Sequence, residues 1–180
     1  MNGPNPSSQH DASHEPWPNL SYPDFADTQH LLHMGLQAVG KLKLRKPFEP
    51  QWAEVPLWLS SRGFTTGPIH SRRGAYEIAI DLISHQLGCA TSWDVSERFP
   101  LTSISVAEFV EKLLSLLRKA GIDTSINMKP QEVANTVPFD RDTAVRAYDP
   151  QMVNAWWRIL LSTHRVMQRF HGRFNGKTQP

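Results

Sequence analysis

Three features of the chain predict an α+β fold, an antiparallel sheet of four to six strands with three amphipathic helices packed mainly on one face. The first is a meander from Val55 to Leu101, where apolar residues recur at every second position between short polar turns. The second is a set of three segments, at about 28–44, 105–120 and 150–171, with apolar residues at helical spacing. The third is the shortness of the links between strands. A parallel pair needs a crossover of about a dozen residues or more, so these links imply antiparallel pairing.

Taken in order, the chain begins with a stretch rich in Asn, Pro, Ser, Gln and His that has little to bury. This composition predicts a disordered tail over 1–22, with Trp17-Pro18 placed to tack down its end. A single α+β domain is expected over 23–174 and a flexible C-terminus over 175–180. Asp27 or Thr28 can cap the first helix, whose apolar face comprises Leu32, Gly35, Leu36, Val39 and Leu42, and Pro47 lies beyond its end. Val55, Leu57 and Leu59 alternate as a strand that Pro56 confines to a start or an edge. Gly63 and Gly67-Pro68 bracket a short threonine-containing strand, and Ser71–Gly74 reads as a polar turn.

The cleanest strand pattern runs from Ala75 to Ile83. Tyr76, Ile78, Ile80 and Leu82 share one side; Glu77, Ala79, Asp81 and Ile83 share the other. Ser84-His85-Gln86 reads as the hairpin turn, Leu87–Trp93 as the returning strand, Asp94–Arg98 as another turn. Ser105-Val106-Ala107-Glu108 is a capping box, and Gly121 suits the left-handed stop of that second helix. Ile122, Thr124, Ile126 and Met128 alternate as a further strand. A long connection over 129–148 follows, a length often associated with function or mobility. Asp149-Pro150 opens the last helix. Its expected buried stripe is Met152, Val153, Trp156, Leu160, Met167, Phe170 and Phe174, with Trp157, His164 and His171 on the flank.

Composition narrows the function. A chain of 180 residues with 39% hydrophobic residues suits one globular domain without staples. The formal charge of +2 disfavours a dedicated nucleic-acid binder. Cys89 is the sole cysteine, reads as a small buried strand residue, and fits a reducing, cytoplasmic setting. No apolar run approaches the ~20 residues that span a bilayer, and no secretory signal is visible. The ATP, dinucleotide, serine-hydrolase, dithiol-redox and structural-zinc motifs are all missing from the sequence, so no cofactor is assigned.

The polar residues suggest one candidate surface. Arg62, Thr65, Thr66, His70, Glu77 and Asp81 fall at strand ends and on the wet side of the sheet, where arginine can fork onto an anion and threonine can orient a ligand. Glu77 and Asp81 are roughly 13 Å apart along one strand, too far for a catalytic carboxyl pair, and solvated or arginine-paired carboxylates are the plain alternative. His30 and His33 make an H-x-x-H on a helix without the glutamate that a zinc site of this kind uses, so no metal site is assigned. His33 fits the edge of the core better. Arg158, Arg165, Arg169 and Arg173 form a stripe that reads as a solvated helix face, and Trp156 as core packing.

Several phrases then occur together in order: Trp17-Pro18, Leu32-His33, Val39-Gly40-Lys41, Val55-Pro56-Leu57, Arg62–Ile69 (R-G-F-T-T-G-P-I), Pro138-Phe139-Asp140, Tyr148-Asp149-Pro150 and Arg173–Lys177. The set resembles an uncharacterised, mainly bacterial family, domain of unknown function 5996, over about 17–177. The resemblance implies an intracellular, non-membrane protein and brings no catalytic residues with it. It draws attention to His33, Arg62, Thr65, Thr66, Glu77 and Asp81. It also implies that relatives continue past Gly176-Lys177 into a segment rich in His, Phe and Trp, whereas this chain stops at Pro180. On that reading a site is either missing a part or completed by a homodimer.

Three functions are therefore carried forward. The leading one is a small-molecule binding or accessory domain holding a polar or anionic ligand near Arg62, Thr65-Thr66 and His70. The second is an enzyme of unassigned class with His33 or His70 as general base beside Glu77 or Asp81. The third is a protein-interaction module.

Overall fold

The computed structural model describes residues 16–134 and 136–176. Six strands form one antiparallel sheet: β1 (Trp58–Leu59), β2 (Gly63–Thr65), β3 (Ile69–Ser71), β4 (Gly74–Asp81), β5 (Gln86–Thr91) and β6 (Ser96–Pro100). The order is β1-β2-β4-β5-β6, and β3 shares with β2 the same side of β4. Thr66 bridges the gap between them. Its N–H donates to the Ile78 carbonyl and its hydroxyl accepts from the Ile78 N–H, both at 3.0 Å. The side chain thus takes over a ladder bond where the chain turns away. β1 is the edge that Pro56 allows, but only two residues long.

Three helices cover one face: α1 (Tyr22–Lys43), α2 (Val106–Lys119) and α3 (Pro150–His171). Tyr76, Ile78, Ile80, Leu82, Leu87 and Cys89 point beneath them and are buried, the side that alternation assigned. Phe109 of α2 meets Phe99 of β6 with ring centroids 5.7 Å apart, and Trp156 and Trp157 of α3 meet Phe64 of β2 at 5.9 and 6.1 Å. A Cβ on Gly35 of α1 would lie 2.8 Å from the Phe109 ring, so glycine lets α1 and α2 approach closely. None of the described helices is long and apolar enough to cross a membrane.

The helix punctuation has clear causes. Ser105 Oγ accepts from the Glu108 N–H at 3.1 Å, and Asp149 Oδ1 accepts from the Gln151 and Met152 N–H groups. At the far end of α2, the Gly121 N–H reaches the Arg118 carbonyl at 2.9 Å and the Ile122 N–H reaches Leu117 at 2.8 Å. With Gly121 at φ +78° this is a complete Schellman stop.

Several expectations need correction. α1 starts at Tyr22, after Ser21 and with Pro23 in its first turn, rather than near Thr28. Thr28 is buried; its hydroxyl donates to the Ala147 carbonyl at 2.9 Å and accepts from the Asp149 N–H at 3.1 Å. Residues 122–128 alternate in burial yet join no ladder. The turn before β6 closes earlier than expected, between Thr91 and Val95 with Asp94 at φ +62°, so Ser96–Arg98 belong to the strand. Trp157 is 1% exposed and Trp156 only half-buried, while Met167, Phe170 and Phe174 stand in solvent. The apolar stripe of α3 meets the core only along its first half.

The connection after α2 has little regular structure but is well anchored. Phe139, in a single 3-10 turn, is fully buried and Tyr148 nearly so. Gln37 of α1 exchanges two hydrogen bonds with the backbone of Gln131, and His30 Nε2 lies 2.9 Å from Asp142 Oδ2. Near the start of the described chain, Ser162 donates to the Pro16 carbonyl at 2.8 Å, beside the predicted tack at Trp17-Pro18. Most of the expected tail, 1–15, and the last residues of the expected flexible end, 177–180, lie outside the described residues.

Candidate functional site

The predicted polar residues fall into separate neighbourhoods. Arg62, Thr65, Glu77 and Asp81 share the outer face of the sheet. Arg62 Nε donates to Asp81 Oδ2 at 2.6 Å, while Asp81 Oδ1 accepts from the Ile83 and Ser84 N–H groups, each at 2.8 Å. Burial alone would raise the Asp81 carboxyl. The bond from Arg62 and those from Ser84 and Ile83 together outweigh it and hold the group at about 2. Thr65 Oγ1 donates to Glu77 Oε1 and accepts from the Gly67 N–H. These four residues hold one another in place. The shallow groove beside them, about 450 Å³, has a floor of Ala79, Gly88 and Ala90 and a rim that includes Glu77, Asp81, Gln86 and Arg98.

Thr66 points the other way. It is fully buried and its hydroxyl is committed to the backbone of Ile78 and Gly67. His33 lies on α1 beside Phe25, Leu36 and Trp156, with Gln37 Nε2 3.3 Å from its ring nitrogen. Neither His33 nor His70 is hydrogen-bonded to Glu77 or Asp81. The imidazole beside a carboxylate is His30, on Asp142, which also lies 3.4 Å from Arg146. His85 Nδ1 is 2.9 Å from the Tyr148 hydroxyl, and burial lowers its imidazole against a smaller upward pull from Asp81. Burial pushes the Cys89 thiol up to about 11, so it carries no thiolate near neutrality. Among the described residues no group of three or more His, Cys, Asp or Glu can hold a metal.

His70 belongs to a different and more basic place. A cavity of about 530 Å³ opens where the β3–β4 hairpin meets the ends of α1 and α2. His70, Arg72 and Arg73 enter from the hairpin, Arg45 from just beyond α1, and Asp123 and Thr124 from just beyond α2. Three arginines and one aspartate thus line the same cavity. Arg73 stacks over the Trp93 ring at 5.0 Å, and Arg45 donates to the Ser125 carbonyl at 3.2 Å.

Two hydroxyls on this cavity's wall have no hydrogen-bond partner among the described residues, and one of them is buried. Thr124 Oγ1 is buried without a hydrogen bond, and the Tyr76 phenol, 3% exposed, has none among the described residues. Burial raises the Tyr76 phenol, partly offset by Arg45, so it remains a donor at neutral pH. The arginines are not needed to cap α2. The carbonyls of Leu116, Leu117 and Arg118 are taken by backbone N–H groups, and that of Ala120 by Trp93 Nε1 at 3.2 Å.

Of this cavity the sequence reading had only His70. Arg72-Arg73 were visible as a polar turn and Tyr76 as an inward strand residue of the same hairpin, but Arg45 and Thr124 come from two other segments, and only the fold joins them.

A family model described as a family of unknown function, DUF5996, matches residues 17–180. No curated protein and no solved structure matches the chain.

Proposed function

The chain belongs to the family of unknown function DUF5996, and from that premise we propose that it is a binding domain for a small anionic ligand, held in the basic cavity between the β3–β4 hairpin and the ends of α1 and α2. The observation that carries this reading is the buried, unpartnered Thr124 hydroxyl in a cavity lined by Arg45, Arg72, Arg73 and Tyr76. A buried hydroxyl without a partner costs roughly 1–3 kcal/mol, and a carboxylate or phosphate would accept from Thr124 and from the Tyr76 phenol beside it. Guanidinium forks supply the charge-assisted bonds that phosphate and carboxylate groups take bidentately. The proposal keeps the polar or anionic ligand class and His70 from the sequence reading. It moves the centre away from Arg62, whose charge is met by Asp81.

Calorimetry with inorganic phosphate, then with phosphomonoesters and dicarboxylates at matched ionic strength, tests it. Arg45→Gln and Arg72→Gln each remove an exposed guanidinium and are expected to weaken binding about tenfold or more. Arg62→Gln is expected to leave it unchanged. Heat from none of these anions, or affinity indifferent to Arg45 and Arg72, would overturn the reading.

A further inference from the structure

The outer face of the sheet poses a separate question. Glycine in a strand interior weakens it relative to alanine. Gly88 lies in the middle of β5 with ordinary negative-φ or extended backbone. A Cβ there would meet only the Glu97 carbonyl at 3.6 Å and Arg98 Cβ at 3.8 Å, both normal contacts. Nothing in the chain's own packing requires glycine. Its neighbours on the face, Ala79 and Ala90, are also small and poor strand formers. A strand glycine of this kind marks a place where a ligand or another backbone comes close.

The charges around this floor suit a second copy of the same chain. Pairing aligns Thr65, Ala79, Gly88 and Arg98 in one row across the sheet, with Glu77 and Asp81 in the rows on either side. Arg98 is exposed and makes no ion pair or hydrogen bond among the described residues. We infer that the outer face is an interface between two copies, packed sheet to sheet about a two-fold axis parallel to β5 and passing over Gly88. That axis lays β6 of one copy over β4 of the other. Arg98 then descends onto the small Ala79 of the partner copy, with Glu77 in the row about 7 Å to one side and Asp81, already paired with Arg62, in the row on the other. Gly88 meets its own copy at the axis, where two sheets about 10 Å apart come together. A two-fold axis running across the strands would instead place β4 on β4, acid against acid. Charge therefore selects one axis from the two.

Four strands about 4.8 Å apart and about 17 Å long make on the order of 300 Å² of face, short of the ~800 Å² per partner in stable complexes. The pair belongs with transient associations that exchange with monomer. This inference is independent of the anion cavity, which opens elsewhere.

Sedimentation velocity across a wide concentration range tests it, with circular dichroism to confirm that each variant is folded. The expected result is a concentration-dependent dimer weakened by salt. Arg98→Glu and Ala90→Glu, both at exposed positions, should each weaken it at least tenfold. Combining Arg98→Glu with Glu77→Lys should restore it, because the swapped charges meet again across the axis. A monomer at every concentration, a dimer indifferent to Arg98→Glu and Ala90→Glu, or a swap that fails to rescue would each overturn the inference.

Discussion

Asp81→Asn is the sharpest test of how the β4–β5 hairpin is held. The carboxylate closes the turn through two backbone N–H groups and pairs with Arg62. Its carboxyl sits at about 2 against an ordinary 3.8, which corresponds to about 2.4 kcal/mol at neutral pH. The side chain keeps 23% exposure, so solvent screening brings the expected value nearer to about 1 kcal/mol. Because the folded-state value is depressed, this stability is fully present above about pH 4 and is lost as pH falls toward 2. Urea denaturation of both proteins at several pH values measures it. The gap should stay at about 1 kcal/mol from pH 7 to 5 and shrink below pH 4. A gap that is absent at pH 7, or that does not narrow as the wild-type carboxyl protonates, would refute the reasoning.

Two further outcomes follow from buried side chains. Phe139→Ala should destabilise the domain by about 3–5 kcal/mol in the same denaturation assay, because the ring is fully enclosed although its segment is nearly all loop. Lys43 is fully buried, with Nζ donating to the Pro56 carbonyl and lying 5.3 Å from the Trp58 ring centroid. Burial lowers its ammonium below the usual lysine range. The unfolded chain therefore binds more protons than the folded one as the pH approaches 10, so stability should rise there. Lys43→Met should remove that rise and cost little at pH 7, as read from urea midpoints at the two pH values.

How much could be read from residues alone depended on whether the cause was local. The inward side of β4, the Ser105 and Asp149 caps and the Gly121 stop each rest on neighbours within a few positions, and all appeared in the sequence. Thr28 looked like a cap because threonine commonly is one, yet it is claimed by Ala147 and Asp149 more than a hundred residues away. The run 122–128 had strand period, but no free edge receives it. The stripe on α3 predicted burial over its whole length, whereas its second half leaves Met167 and Phe170 exposed. The candidate site followed the same rule. Arg62, Thr65, Glu77 and Asp81 share a sheet face, which period two reveals. The basic cavity is assembled from the ends of two helices and one hairpin, and no spacing in the chain announces that meeting.

The fastening of α1 bears on how the protein reaches its native state. The bonds from Thr28, His30 and Gln37 to residues 131–149 span 94 to 121 positions. Such contacts form only after a large loop has closed, and chains dominated by them fold slowly. The strand meander and α2 can assemble from nearby segments, while α1 must wait for its distant clasp. A kinetic species with a formed sheet and an undocked first helix is the expected outcome, and Thr28→Val should speed unfolding far more than it slows refolding.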